Sequence, residues 1–191
     1  MTGSAASDAV AEAMTTLTRR AFLPPAQRAH ADEDRPLPLA HGQTNSQPST
    51  VAAMLRLLDV PAGASVLDIG SGSGWTTALL GRLVGPEGRV LGLEIDPDLA
   101  VWGAENLAAW SMPWAAIEQA DPSALGRPVE DGWDRILVSA SGQQLPEALV
   151  AQLADGGRMV LPVRSTMWLV ERHGEQVGRS PQGSYAFVPL R

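Results

Sequence analysis

The sequence predicts an α/β fold: a doubly wound, mostly parallel sheet with helices on both faces and antiparallel strands at the C-terminal end. Two patterns predict this class. From residue 48 onward, short apolar segments typical of buried strands alternate with segments of helical periodicity. A glycine-rich turn also joins the first of these strands to the helix that follows it. Apolar residues make up 45% of the 191-residue chain, enough for one domain with a sizeable core.

The N-terminal part is predicted to be a helix followed by an irregular cover. Apolar residues recur at helical spacing over residues 8–20. Residues 22–47 are rich in Pro, Asp and His but have few flexible Gly/Ser tracts, so we expect ordered cover rather than a linker. Pro48 suits the first turn of a helix, where its missing N–H costs little, and we expect that helix at 48–58.

The next elements predict the first half of the sheet. A short apolar strand at 65–69 enters the glycine-rich turn, and a helix follows at 75–84. A second strand is expected at 89–94, and a second helix begins after Asp96, whose carboxylate is a typical N-cap, and runs to about residue 108.

The second half of the sheet is predicted from shorter apolar patterns. A helix is expected at 146–153. The remaining strands are expected at 114–118, 133–138, 158–163, 168–172 and 184–188.

Two residue types are missing, and their absence excludes several chemistries. Without cysteine there are no disulfides, thiolate metal sites or cysteine nucleophiles, and a reducing compartment is favoured. Without lysine there is no Schiff-base lysine and no phosphate-binding lysine of the P-loop type. His30, His41 and His173 share no metal-ligand spacing, so we expect no metal.

Charge and hydropathy limit the partners. The net charge of −7 argues against nucleic-acid binding, which depends on clustered cations. The N-terminus lacks the basic start and apolar core of a signal peptide, and no apolar run approaches the ~20 residues of a membrane helix. We therefore expect a protein without a nucleic-acid or membrane partner. We also expect it to be cytoplasmic and monomeric.

The glycine-rich turn predicts a site for an adenosine-containing ligand. Gly70, Gly72 and Gly74 follow the strand, and Glu94 ends the next strand about 20 residues later, where a carboxylate accepts hydrogen bonds from ribose hydroxyls. Dinucleotide turns prefer G-x-G-x-x-G, whereas these glycines fall as G-x-G-x-G. Asp68, just before the turn, would repel a pyrophosphate but attract an ammonium or sulfonium group. S-adenosyl-L-methionine carries both, and a dinucleotide oxidoreductase is the weaker alternative.

Several segments together resemble the protein-L-isoaspartate O-methyltransferase family, within the Rossmann-like class I methyltransferases. The most specific is Gln43-Thr44-Asn45-Ser46-Gln47-Pro48, similar to the family's G-x-G-Q-T-[apolar]-S-x-P. The likeness extends over about residues 10–190 and also rests on segments at 20–24, 35–39, 41–43, 156–163 and 187–190. It implies one methyltransferase domain over 1–191, with residues 1–47 as N-terminal helix and substrate-side cover and 48–191 as the cofactor-binding core.

The resemblance also implies site residues. Ser46 is expected to contact the substrate carboxyl, with Thr44 beside it in the catalytic set. The substrate-binding residues are expected to be Gln43, Asn45, Pro48 and Ser139. The cofactor-binding residues are expected to be Asp68, Gly70, Ser71, Gly72, Ser73, Gly74, Trp75, Glu94, Ile95 and Asp121.

The implied activity is S-adenosyl-L-methionine-dependent methylation of L-isoaspartyl residues in damaged proteins or peptides, a repair reaction in which the ester then closes to a succinimide. A carboxylate is nucleophilic at neutral pH, so no general base is required. The chain departs from the family pattern at Asn45, at 120–122 and at 164–166. Two alternatives follow: a related methyltransferase with a different carboxylate or a dedicated peptide substrate, and a catalytically weak homologue that binds the cofactor.

Overall fold

A computed structural model describes residues 8–190. Residues 1–7 and 191, which the expected domain limits include, lie outside the described residues. The described part of the chain has five α-helices, namely α1 (Ala9–Thr16), α2 (Pro48–Leu58), α3 (Trp75–Val84), α4 (Pro97–Ala108) and α5 (Glu147–Val150). It also has three 3-10 helices, at Arg19–Phe22, Pro25–His30 and Ala40–Gly42. The strands within 8–190 are β1 (Leu37–Pro38), β2 (Thr44–Asn45), β3 (Ser65–Ile69), β4 (Arg89–Glu94), β5 (Ala115–Gln119), β6 (Trp133–Val138), β7 (Leu153–Val163), β8 (Thr166–His173) and β9 (Gln176–Ser184).

Seven strands form one mixed sheet in the order β5-β4-β3-β6-β7-β8-β9. Strands β3 to β7 are parallel, and β8 and β9 run antiparallel. The chain moves outward from β3 through β4 to β5 and then returns to place β6 on the other side of β3. This reversal puts a crevice at the carboxyl end of β3, the usual ligand position in such sheets. The predicted fold class is confirmed.

The central strands are buried on both faces, which explains their nearly continuous apolar sequences. In β3, Val66 faces a core packed by α1, α2 and α3, whereas Leu67 faces the opposite core, which α5 joins. The same alternation continues in β6, where Leu137 lies in the first core and Ile136 in the second. The predicted segments 48–58, 65–69, 75–84, 89–94 and 133–138 coincide with observed elements.

The N-terminal helix is shorter than predicted, because α1 ends at Thr16 and not near residue 20. Beyond it, the carbonyl of Leu17 accepts a hydrogen bond from the indole Nε1 of Trp75 at 2.8 Å, and a 3-10 turn at Arg19–Phe22 redirects the chain. Threonines on both sides of Leu17 also have low helix propensity. The cover that follows contains further 3-10 turns and the two-stranded β1–β2 ladder.

The structure corrects the predicted bounds of several elements in the second half of the chain. The last strand was expected at 184–188, but β9 occupies Gln176–Ser184, because the hairpin pairs His173 with Gln176 and fixes the register from there. This edge strand is largely exposed and polar, so it carries no apolar signal. The strand predicted at 158–163 begins at Leu153, which pairs with Trp133, and the helix predicted at 146–153 is correspondingly short. The strand predicted at 114–118 is shifted by one residue.

None of the described helices has the length and apolar character needed to cross a membrane.

Candidate active site

A cavity of about 310 Å³ opens at the carboxyl ends of β3, β4 and β6, where the strand order reverses. The structure brings most of the predicted site residues together around it. Those lining the cavity are Gln43, Thr44, Asn45, Ser46, Gly70, Ser71, Gly72, Ser73, Trp75, Glu94, Ile95, Asp121 and Ser139. The predicted residues outside the lining are Asp68, Gly74 and Pro48.

The glycine-rich turn adopts a conformation that favours glycine. Gly70, Gly72 and Gly74 have φ values of 78°, 52° and 87°, in the left-handed region that other residues rarely adopt. The turn is fastened to the neighbouring strand because the backbone N–H groups of Gly70 and Ser71 both donate to the carbonyl of Leu93. Gly74 is also the N-cap of α3, so the turn leads directly into the N-terminus of that helix.

The carboxylate of Glu94 is fixed beside the turn. Its Oε2 accepts a hydrogen bond from the N–H of Gly72 at 2.8 Å, and its Oε1 accepts one from the N–H of Asp96 at 3.0 Å. Only 5% of Glu94 is exposed, yet it lines the cavity. A carboxylate oxygen accepts more than one hydrogen bond, so acceptor capacity remains for hydroxyls of a ligand.

Asp68 lies beneath the turn and not in the cavity. Its Oδ2 accepts hydrogen bonds from the hydroxyls of Thr76 and Thr77 at 2.8 and 2.7 Å. Complete burial raises the pKa of Asp68 to about 6, and the nearby Glu94 adds to the rise. Within residues 8–190, Asp68 Oδ1 and the hydroxyl of Ser71 are the buried side-chain atoms that have no hydrogen-bond partner.

Asp121 lies on the far rim of the cavity, after β5. Its Oδ1 accepts hydrogen bonds from the N–H and the hydroxyl of Ser123, and these bonds lower the pKa of Asp121. The replacement of glycine by Ala120 and Pro122 is therefore compatible with a compact turn that faces the cavity.

A second, more open cavity adjoins the first. Its walls come from the cover, α2 and the segment after β9. Both cavities share the lining residues Thr44, Ser46, Ser139 and Val188. Three hydroxyl side chains therefore stand at the boundary between a pocket on the glycine-turn side and a groove open to a larger molecule.

The sequence did not indicate Arg19 as part of this region. Its guanidinium is buried, with 4% of the residue exposed, and its Nε donates to Asn45 Oδ1 at 2.6 Å. The amide nitrogen of Asn45 in turn donates to the hydroxyl of Ser73 at 2.9 Å. The guanidinium also lies over the ring of Trp75, 5.9 Å from its centre. The resembled family pattern has an apolar residue at position 45. The polar Asn45 was therefore the one sequence signal for a buried polar partner such as Arg19.

The departure at 164–166 also has a local structural role. Arg164 occupies the turn between β7 and β8 with φ of 55°, a conformation that glycine adopts more easily. Its N–H donates to the carbonyl of Gly142 at 2.8 Å, and its own carbonyl accepts the hydroxyl of Ser141 at 2.7 Å. These bonds hold the turn against the segment that follows Ser139.

Comparison with known proteins assigns the chain to one family. The model of the protein-L-isoaspartate(D-aspartate) O-methyltransferase family matches residues 1–191. A protein-L-isoaspartate O-methyltransferase of Methanopyrus kandleri is 41% identical over 189 residues, which cover 96% of this chain and 84% of the relative. One of Methanothrix thermoacetophila is 40% identical over 188 residues, covering 96% and 88%.

Solved structures agree in fold. A structure of a protein-L-isoaspartate O-methyltransferase superposes with a TM-score of 0.86 at 25% identity and covers 97% of this chain and 62% of its own. A Plasmodium falciparum protein assigned to the same activity, crystallised with S-adenosyl-L-homocysteine, gives a TM-score of 0.84 at 24% identity and coverages of 98% and 92%.

Proposed function

The chain belongs to the protein-L-isoaspartate(D-aspartate) O-methyltransferase family, and we propose that it methylates the carboxylate of L-isoaspartyl residues in damaged proteins or peptides, with S-adenosyl-L-methionine as methyl donor. The observation that carries the proposal is the meeting of two cavities at Thr44, Ser46 and Ser139. One cavity adjoins the glycine turn and suits the cofactor. The other is open and suits a peptide.

The residues present fit the cofactor. Glu94 is a buried carboxylate with acceptor capacity facing the cavity, which suits two ribose hydroxyls. The hydroxyl of Ser71, which lines the same cavity, has no partner among the described residues and so offers a donor and an acceptor to a bound ligand. We propose that the turn residues Gly70 to Ser73, with Trp75 and Ile95, hold the methionine and ribose parts, and that Asp121 meets the adenine.

The reaction needs little beyond alignment. When bound, S-adenosyl-L-methionine would supply an electrophilic methyl group on a positively charged sulfur, and that sulfur would keep the electron pair of the broken C–S bond. The substrate carboxylate would provide the electron pair of the new C–O bond. No proton is transferred. Ser46, with Thr44 and Ser139, orients the carboxylate by hydrogen bonding, and orientation of this kind contributes several kcal/mol to catalysis.

The remaining assignments complete the proposal. The segment up to residue 47 serves as substrate-side cover, with Gln43, Asn45 and Pro48 supporting the acceptor side, and residues 48–191 bind the cofactor. A protein or peptide is the partner. A monomeric state, the absence of a nucleic-acid partner and a cytoplasmic location stay predictions.

The test is methyl transfer from labelled cofactor to an isoaspartyl peptide and to its normal aspartyl counterpart. We expect labelling of the isoaspartyl peptide, with a large loss in Ser46→Ala and normal activity in Ser180→Ala, a matched change on β9 away from both cavities. Equal labelling of both peptides would favour a different carboxylate substrate. Retained cofactor binding without any turnover would favour the catalytically weak homologue.

A further inference from the structure

The guanidinium of Arg19 is a buried cation that binds neutral acceptors. Besides Asn45 Oδ1, it donates to three backbone carbonyls: Glu33 at 3.1 Å, Arg35 at 2.9 Å and Asn45 at 2.8 Å. None of the ion pairs found within residues 8–190 includes Arg19. Four hydrogen bonds from one planar group therefore link Glu33, Arg35 and Asn45 within the cover.

These contacts reach both sides of the proposed site. The Asn45 carbonyl bound by Arg19 belongs to the residue directly before Ser46, so the guanidinium fixes the backbone that carries Ser46. The Asn45 side chain continues the network to Ser73, which lines the cavity beside the glycine turn. Because Arg19 holds the Asn45 side-chain oxygen, it also fixes which way the amide nitrogen points.

We propose that Arg19 is a positioning residue that sets Ser46 and the glycine turn relative to each other through Asn45. The part of this inference that concerns Ser46 rests on the proposed function, whereas the part that concerns Ser73 requires only cofactor binding. A polar residue at position 45 follows from this arrangement, because an apolar side chain there would leave the Nε of Arg19 without its acceptor.

The decisive variant is Arg19→Met, which keeps the length of the side chain and removes the hydrogen-bonding fork. Its control is Arg20→Met, in the same 3-10 turn, where the side chain is exposed and donates to Arg28 O. Active sites are counted by titration with S-adenosyl-L-homocysteine, and kcat and KM for the isoaspartyl peptide are expressed per titrated site. A purely structural defect lowers the number of sites but leaves the kcat of each remaining site unchanged.

We expect Arg19→Met to lower kcat per site about tenfold or more, because Ser46 would be misplaced. We also expect it to weaken S-adenosyl-L-homocysteine binding about threefold, because Ser73 would lose its fixed partner. Arg20→Met should stay within about twofold of the unmodified protein. If Arg19→Met does not fold, Arg19→Lys is the second variant; it keeps the charge, loses the fork and should show the same losses to a smaller degree.

A double variant tests the route through Asn45. If Arg19 acts through Asn45, Arg19→Met combined with Asn45→Leu should lose no more than the worse single variant. Values of kcat per site and cofactor affinity within about twofold of the unmodified protein in folded Arg19→Met would overturn the proposal. If the unmodified protein leaves isoaspartyl peptides unlabelled, the proposed function fails, and the positioning role is then decided by cofactor affinity alone.

Discussion

Gly103 of α4 lies directly against the carbonyl oxygen of Gly72 in the glycine turn. A Cβ atom built on Gly103 would be 2.6 Å from that oxygen, closer than real Cβ atoms come. The turn approaches α4 equally closely, since a Cβ on Gly74 would lie 2.7 Å from the carbonyl oxygen of Gly103. The position of α4 therefore depends on the absence of side chains at both sites, and a helix glycine outside the turn helps to set the turn's shape.

Gly103→Ala is expected to destabilise the protein and weaken cofactor binding. In an exposed helix, replacing glycine by alanine would stabilise by up to ~1 kcal/mol, but here the new methyl group meets backbone and forces α4 away. Such overpacking costs about 1–3 kcal/mol, so we expect a net loss in the free energy of unfolding. Urea unfolding and calorimetric titration with S-adenosyl-L-homocysteine measure the two effects.

The matched control for this change is Gly178→Ala in β9. A Cβ at Gly178 would make only an ordinary contact, 3.8 Å from the carbonyl oxygen of Glu171. Equal stability and cofactor affinity in Gly103→Ala and Gly178→Ala would show that α4 moves freely and that the contact does not shape the turn.

Glu94→Gln is expected to weaken cofactor binding about tenfold or more. The carboxylate accepts hydrogen bonds from two backbone N–H groups and, in the proposed complex, from ribose hydroxyls. An amide has a single oxygen acceptor and turns its NH₂ group toward one of these donors, and hydrogen bonds to charged groups contribute about 1.5–3 kcal/mol each. Calorimetric titration measures the loss, with Glu118→Gln on exposed β5 as the control.

A second ligand identifies the ribose as the partner of Glu94. An analogue of S-adenosyl-L-homocysteine without the 2′-hydroxyl should bind more weakly than the parent to the unmodified protein. In Glu94→Gln the two ligands should bind alike, because the lost acceptor and the lost donor belong to one interaction. Unchanged discrimination in the variant would place the ribose elsewhere.

Much of the central fold was predictable because its physical signals are local. In β3 and β6, apolar residues fill a sheet that is covered on both faces. Pro48 indicates the start of α2 through its fixed backbone geometry, and Asp96 indicates the start of α4 as a capping carboxylate. Strand β9 shows the opposite case. It is an exposed edge with polar residues on both faces, so only its pairing with β8 makes it a strand.

The site was predictable where a motif specifies it and not where packing does. Glu94 and the three turn glycines were predicted from their spacing, and the structure brings Glu94 to the turn. Arg19 and Gly103 were missed because their roles depend on contacts far along the chain, 26 residues for Arg19 with Asn45. Neither residue differs locally from an ordinary surface arginine or helix glycine.

Asp68→Asn is expected to make the ligand-free protein more stable at neutral and alkaline pH. Since burial raises the pKa of Asp68 from 3.8 to about 6, the folded chain binds this proton more tightly than the unfolded chain. The contribution of Asp68 to stability is therefore greatest below pH 3.8 and decreases until the pH passes about 6. At pH 8, the contribution of Asp68 to the free energy of unfolding is at most roughly 3 kcal/mol lower than it is below pH 3.8.

Urea unfolding of Asp68→Asn and the unmodified protein between pH 4 and pH 8 checks this expectation. The stability advantage of the variant should grow with pH up to about pH 6 and then level off. Asp131→Asn, which changes an exposed carboxylate, is the control. An advantage of Asp68→Asn that is independent of pH would mean that the buried carboxylate is not the source.

Ser71→Ala is expected to have opposite effects on the empty and the ligand-bound protein. The Ser71 hydroxyl is buried, lines the cavity and has no hydrogen-bond partner among residues 8–190. An unsatisfied buried hydroxyl costs about 1–3 kcal/mol, so its removal should leave the ligand-free protein equally or slightly more stable. If a polar atom of the cofactor binds this hydroxyl, the same change should weaken S-adenosyl-L-homocysteine binding about tenfold.

Thermal unfolding with and without S-adenosyl-L-homocysteine measures both effects. Without ligand, the unfolding midpoint of Ser71→Ala should equal or exceed that of the unmodified protein. At equal ligand concentration, the midpoint of Ser71→Ala should be the lower of the two. A midpoint that shifts by the same amount in both conditions would show that the hydroxyl does not contact the cofactor.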